Sequence, residues 1–141
     1  QFVPEANFTL GNIFDLNYAD QSFDVVLSDA VLIYVDRKRI KRVMDNLARI
    51  AKSMIILVEW GDNLYPRGIV RDFRWCRDYR TLLCERGFNI FSLKKLTEKD
   101  WPSKSWIKHG YIYVGYRPLS RISAPNFLTE QISKVPVSSG I

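Results

Sequence analysis

Histidine occurs once in the 141 residues, at His109, and cysteine twice, at Cys76 and Cys84. One imidazole and two thiols outside any zinc-like or redox-like spacing exclude a His-rich metal centre, so the expected metal complement is none. Both thiols fall within one expected helix and suit a reducing compartment as idle or buried groups. Neither a Gly-x-Ser-x-Gly elbow nor a phosphate-loop pattern is present, which removes the hydrolase readings that depend on them. The seven glycines never stand two apart. No apolar run approaches the roughly 18 residues that span a bilayer. No charged segment followed by an apolar one opens the chain, and the expectation is a cytoplasmic protein with no membrane partner.

What is present argues for a folded domain. Apolar residues make up 47% of the chain and aromatic residues 13%, enough for a real core in a single globular unit. The formal charge of +6 and pI near 9.4 are compatible with nucleic acid, anionic lipid or an acidic small substrate, but point only weakly, since net charge speaks to association rather than to fold; nucleic acid is not favoured as a partner. The chain opens on Gln1 rather than Met, so a fragment or an incompletely read gene is expected.

The organising stretch is Ser22-Phe23-Asp24-Val25-Val26-Leu27-Ser28-Asp29-Ala30. Its apolar, β-branched run is too short for an isolated helix and ends abruptly in small polar residues, as a buried strand running into a turn does. A continuous run implies burial on both faces, the habit of parallel strands, which place ligands outside their carboxyl ends. Ser28 and Asp29 stand at such an end.

Upstream lies Phe8-Thr9-Leu10-Gly11-Asn12-Ile13-Phe14-Asp15-Leu16, and downstream Val31-Leu32-Ile33-Tyr34-Val35. In this order and spacing, over residues 8 to 117, the chain resembles the class I S-adenosylmethionine-dependent methyltransferases. The resemblance implies an α/β fold, a partial Rossmann-like methyltransferase sheet, mostly parallel with an antiparallel last strand. It makes S-adenosyl-L-methionine the cofactor. A small-molecule methyl acceptor is preferred because no nucleic-acid motif accompanies the charge, with protein or RNA acceptors as alternatives. The Gly-Asp pair after the family's third strand, whose acidic residue binds the adenine amino group, corresponds to Gly11-Asn12. The Asn carbonyl oxygen keeps an acceptor there. Cofactor-binding positions implied in this way are Gly11, Asn12, Ile13, Ser28, Asp29 and Ala30. Tyr34 stands where many members carry His. The glycine-rich turn after the family's first strand and the acidic residue ending its second, which hold the methionine part and the ribose, have no counterpart.

Ile40, Val43, Met44, Leu47, Ile50 and Ala51 form one helical stripe behind Asp36 as N-cap, giving an expected helix over 37–51. Arg37, Lys38, Arg39, Lys41 and Arg42 cover its other face, read as solvated in preference to an anion-binding patch. Ser53 to Glu59 repeats the buried-strand pattern and would be the family's fifth strand, placing Glu59 and Trp60 beside Ser28 and Asp29. Asp72 is read as the cap of a second helix, over 72–86, closed by Gly87. Strands are expected near 8–10, 88–93 and 111–116, and 97–110 is either a flap or a long connection. The domain is drawn as 1–117, with 118–141 as a tail.

Methyl transfer is an in-line displacement, for which a protein positions the reactants and removes a proton where the acceptor needs it. Asp29 is the first candidate for that base or orienting carboxylate, with a solvated turn aspartate as the alternative; Glu59 and His109 follow. Tyr34 and Trp60 are the candidate substrate-binding residues. A contrasting reading is a non-catalytic remnant that binds anions or nucleic acid through the cations at 37–42. In the family's strand order, three-two-one-four-five-seven-six, loss of the first two strands leaves strand 23–28 as an edge, a hazard unless something pairs with it. Two partners are expected for it, a missing N-terminal half, which is favoured, or a homodimer through the strand edge.

Overall fold

The computed structural model describes residues 5–65 and 68–118. Strand β1 (Phe23–Asp29) runs parallel to β2 (Ala51–Trp60), with Val26 opposite Ile55 and Asp29 opposite Val58. The return between them is α1 (Ile40–Ile50), whose buried Ile40, Val43, Met44, Leu47, Ala48 and Ile50 form the expected stripe. This stripe joins Val26, Ile55 and Leu57 in the main core. Short β3 (Ile69–Arg71) and β4 (Arg74–Cys76) form a separate hairpin, followed by α2 (Tyr79–Cys84), β5 (Asn89–Lys95), α3 (Lys104–His109) and β6 (Gly110–Tyr116). The main sheet has the order β1-β2-β6-β5, with β6 antiparallel to both neighbours. Three strands therefore share one direction and the last runs against them. That is the order and sense of the four-five-seven-six portion of the family sheet.

Gly87 closes α2 as read from sequence. Its φ is +78°, and its N–H and that of Phe88 bond back to the carbonyls of Cys84 and Leu83 at 3.0 and 3.2 Å, the paired bonds of a left-handed helix stop.

Several expectations are corrected. Phe8 to Leu10 forms no strand, and Phe8 and Leu10 are fully or almost fully exposed; among the described residues no strand offers them a ladder, and a lone strand has nowhere to place its backbone hydrogen bonds. Helix α1 starts at Ile40 rather than 37. The Asp36 carboxylate accepts the N–H groups of Lys38 and Arg39 at 2.8 and 3.1 Å, the bonds of an N-cap side chain, and the turn it caps leads into the helix through the Ile40 N–H to the Asp36 carbonyl at 3.1 Å. Arg37, Lys38 and Arg39 thus precede the helix, and Lys41 and Arg42 stand in its first turn, where cations oppose the dipole.

The largest correction concerns 72–86. Asp72 and Phe73 adopt φ of +46° and +65° between paired Arg71 and Arg74, the two-residue turn of a tight hairpin. The helix begins only at Tyr79, and Asp78, not Asp72, caps it by accepting the Thr81 N–H at 3.2 Å. Cys76 and Cys84 consequently sit on different elements, the first buried and the second exposed. Burial pushes the Cys76 thiol up to about 11, which makes it unreactive.

Strand β1 is, among the described residues, the edge that the shortened strand order implies. It departs from its reading in burial, which is on one face only: Val26 and Ser28 are covered, whereas Val25 and Leu27 are 50% and 62% exposed. The span 97–110 carries α3 rather than a bare connection. The expected tail lies, from residue 119, outside the described residues. Among those residues no helix is long and apolar enough to cross a membrane.

The hairpin turn supplies a test. Phe73 is 99% exposed and contributes no packing to offset its left-handed backbone, which costs a non-glycine residue roughly 1–2 kcal/mol. Phe73→Gly converts the turn to Asp-Gly, a favoured sequence for this geometry, at an entropic cost of roughly 0.5–1 kcal/mol. The variant should melt a few degrees higher by differential scanning calorimetry; an unchanged or lower midpoint contradicts the assignment of this turn.

Candidate functional site

Because β1 and β2 are parallel, their carboxyl ends lie side by side, and the chain leaving β1 must turn immediately. Ala30 makes the turn at φ +56°, its N–H held by the Val58 carbonyl at 2.9 Å. A short 3₁₀ turn follows over Leu32–Tyr34. The N–H groups at the start of such a turn have no partner within it. Here the Glu59 side chain supplies the partner: Oε1 accepts Val31 N–H at 3.2 Å and Leu32 N–H at 3.1 Å, and Oε2 accepts Ile33 N–H at 3.2 Å. Ser28 Oγ donates to the same Oε1 at 2.8 Å.

Glu59 is fully buried. Burial raises its carboxyl above the ordinary value, and these four donors pull the other way. The far end of the turn is gripped by the equally buried Arg77, which donates to the Leu32 carbonyl at 2.7 Å, to the Val35 carbonyl, and to the Tyr79 hydroxyl at 3.4 Å.

Beside this turn opens a cleft of about 190 Å³ lined by Ala30, Ile33, Tyr34, Trp60, Arg74, Ser103, Ser105 and Trp106. Trp60 is buried and meets Trp106 edge-on at 6.0 Å and His109 at 5.0 Å. His109 ends α3, not a loop, and is nearly buried; its Nε2 lies 3.0 Å from Asp72 Oδ2 at the hairpin tip. That contact, followed by the charge of Lys108 at 3.6 Å, holds the Asp72 carboxyl below its usual range.

Of the residues named from sequence, Ala30, Tyr34 and Trp60 therefore meet in one cleft at the strand ends. Asp29 is exposed at the end of β1. Ser28 and Glu59 are buried and bonded to each other, and His109 faces Asp72 behind Trp60. Gly11 and Ile13 line a second concavity, of about 500 Å³, formed by residues 9–18. Asn12 lies in the same segment, its Oδ1 accepting the Phe14 N–H at 3.0 Å. This segment is fastened to α1: Asn46 donates to the Phe14 carbonyl at 2.9 Å and Arg49 to the Leu16 carbonyl at 2.6 Å.

The cations of α1 are also engaged. Arg42 pairs with Asp15, Arg39 pairs with Asp36 and stacks on Phe14 at 4.5 Å, and Lys41 lies 3.8 Å from Glu85. Arg74, Arg77, Ser103 and Ser105 were not legible as site residues, because the helix expected over 72–86 hides the hairpin that aims the two arginines.

Glu59→Gln removes one acceptor and aims an amide N–H at a backbone N–H. An unsatisfied buried polar group costs about 1–3 kcal/mol, so urea unfolding should show a loss of that order with the sheet retained by circular dichroism. Unchanged stability would contradict the role given to this carboxylate.

Residues 1–58 match the family model described as a methyltransferase domain. No curated protein sequence matches the chain. Among solved structures, a SAM-dependent methyltransferase from Methanosarcina mazei aligns with a TM-score of 0.59 at 21% identity, over 82% of this chain and 69% of that one. A putative S-adenosylmethionine-dependent methyltransferase from Listeria monocytogenes aligns with a TM-score of 0.59 at 13% identity, over 84% and 72%. Magnesium protoporphyrin IX methyltransferase from Synechocystis, solved with bound SAM, aligns with a TM-score of 0.54 at 16% identity. The alignment covers 76% of this chain and 43% of that enzyme, so the chain spans less than half of the latter's length. In sequence over residues 1–58, and in fold over a sheet equivalent to strands four, five, seven and six, this chain is similar to the class I S-adenosylmethionine-dependent methyltransferases.

Proposed function

We propose that the chain supplies the acceptor side of an S-adenosylmethionine-dependent methyl-transfer site and takes a small-molecule acceptor in the cleft beside Trp60, acting as part of a longer chain. The observation that carries this reading is the cleft itself: it lies against the carboxyl ends of two adjacent parallel strands, where open α/β sheets bind ligands, and its walls come from Ala30, Tyr34 and Trp60.

The fit to the cofactor is partial. The 9–18 concavity, about 500 Å³, falls in the size range of small-molecule sites. The Asn12 oxygen already accepts one backbone bond and keeps a second lone pair for an adenine amino group. Ser28 to Ala30 would lie on the sulfonium side. Among the described residues nothing provides a glycine-rich cradle for the methionine part or a carboxylate for the ribose. Those groups would come from further residues docking on the open edge and exposed face of β1, at Val25 and Leu27. The domain would then be 1–117, with 118–141 as a tail.

The cofactor would supply an electrophilic methyl group. This chain's residues would orient the acceptor against the aromatic walls and accept its proton. For that proton Asp29 is the more available of the three candidates, since Glu59 is committed to four bonds and His109 to Asp72. In the anion-module alternative, Arg39, Lys41 and Arg42 form exposed ion pairs with Asp36, Glu85 and Asp15, which hold them only weakly, and no built anion site accompanies these cations or Arg37 and Lys38 among the described residues.

Titration of S-adenosylhomocysteine into the full-length gene product should give saturable heat in a calorimeter. Its absence would end the methyltransferase reading.

A further inference from the structure

We propose that the ligand of the Trp60 cleft is a single-ring aromatic carboxylate, with its anion seated on the Arg74 guanidinium; this deepens, and rests on, the acceptor-site reading above.

Volume sets the first limit. A cavity of about 150 Å³ is enough to hold benzene, so about 190 Å³ accommodates one substituted ring. Wall chemistry sets the second. Tyr34 and Trp106 offer aromatic surface on which a planar ring gains edge or offset-face contacts, and the buried Trp60 backs them.

Charge sets the third limit. Arg74 is the only charged side chain among the lining residues. It is half-buried, its guanidinium standing 5.5 Å from the Tyr34 ring and 5.4 Å from the Trp60 ring. One of its five N–H groups donates, from Nε to the Tyr34 hydroxyl at 3.3 Å, which leaves the terminal fork to match a planar carboxylate. The neighbouring carboxylates are committed elsewhere: Glu59 to the turn and Asp72 to His109. Ser103 stands at the N-cap of α3 without a side-chain capping bond, so its hydroxyl remains available to a ring substituent. A lone guanidinium in a small aromatic cleft suits one negative charge better than a dianionic phosphate.

The test titrates benzoate, benzamide and acetate into the full chain, following tryptophan fluorescence, with Arg74→Gln and Arg74→Lys alongside. Benzoate should bind about tenfold tighter than its neutral isostere benzamide, equivalent to about 1.4 kcal/mol, and tighter than acetate. Arg74→Gln should erase the benzoate preference, and Arg74→Lys should keep part of it. Equal binding of benzoate and benzamide by the parent chain overturns the proposal, as does a preference that survives in Arg74→Gln or no benzoate binding at all. Near-UV circular dichroism checks the fold of the variants, and if Arg74→Gln does not fold, the parent comparison of the three probes decides. The S-adenosylhomocysteine titration separates the two readings. Benzoate preference without cofactor binding supports the cleft assignment and removes methyl transfer, whereas cofactor binding without benzoate preference overturns the cleft assignment alone.

Discussion

Two buried charges of opposite sign hold one turn, and the cleft depends on that grip. Taking a carboxylate or a guanidinium out of water costs several kcal/mol per ion, which is recovered only if hydrogen bonds replace the lost hydration. Glu59 recovers it from three successive backbone N–H groups and a serine hydroxyl, and Arg77 from two carbonyls and a tyrosine. Donors at the start of the turn meet the anion, and the carbonyls of Leu32 and Val35 meet the cation. The anion answers N–H groups that a 3₁₀ turn leaves without a partner, while the Leu32 carbonyl accepts both Arg77 and the Val35 N–H. Glu59 and Trp60 are adjacent on β2, so the residue that fixes the turn and the residue that walls the cleft are placed by the same strand end.

Burial is distributed unevenly over the sheet for a related reason. Helix α1 covers the side of β1 that carries Val26, and the opposite side, with Val25 and Leu27, stays exposed among the described residues. Tyr18 crosses edge-on to Phe23 at 5.0 Å and shields only the start of the strand. The composition of β1 is that of a strand with cover on both faces, and an exposed, flat apolar edge is otherwise a pairing hazard. The α1 cations reach the other way, to Asp15, Tyr18 and Asp20, and bind the incoming segment to the helix.

Much of the sheet was legible because hydrophobicity and turn chemistry agree there. The runs at 23–28, 53–59 and 111–116 end in polar residues or glycine, and the observed strands match them within a few residues. The stripe of α1 follows from a 3.6-residue period, and Gly87 from the left-handed stop it permits. The stretch 69–78 was not legible. Phe73, Trp75, Cys76 and Tyr79 imitate a helical face, while the Asp72-Phe73 turn lacks the glycine that usually marks left-handed backbone. Glu59 was found as a site candidate, yet its partners are mainly backbone N–H groups, which leave no trace in a side-chain pattern. Phe8 to Leu10 reads as a strand because strand formers do; a ladder also needs a neighbour, which no local pattern reports.

Replacing the expected helix by a hairpin changes what the two arginines do. On a helix, Arg74 and Arg77 would be three residues apart on nearly one face. On the hairpin and the turn after it they diverge, Arg77 to the buried turn and Arg74 to the cleft. The hairpin tip is tied to α3 by Asp72 and His109, and α3 carries Ser105 and Trp106. The cleft therefore has walls of unequal firmness. Ile33 is fixed by a hydrogen bond to the buried Glu59, Ala30 by one to the Val58 carbonyl and Tyr34 by one to the Val31 carbonyl. Arg74 and the α3 residues hang on a contact whose Asp72 end is exposed, where solvent competes and the net worth is small. Any adjustment of the cleft to a ligand would fall on the hairpin and α3, with Arg74 and Trp106, rather than on the strand end that holds Trp60.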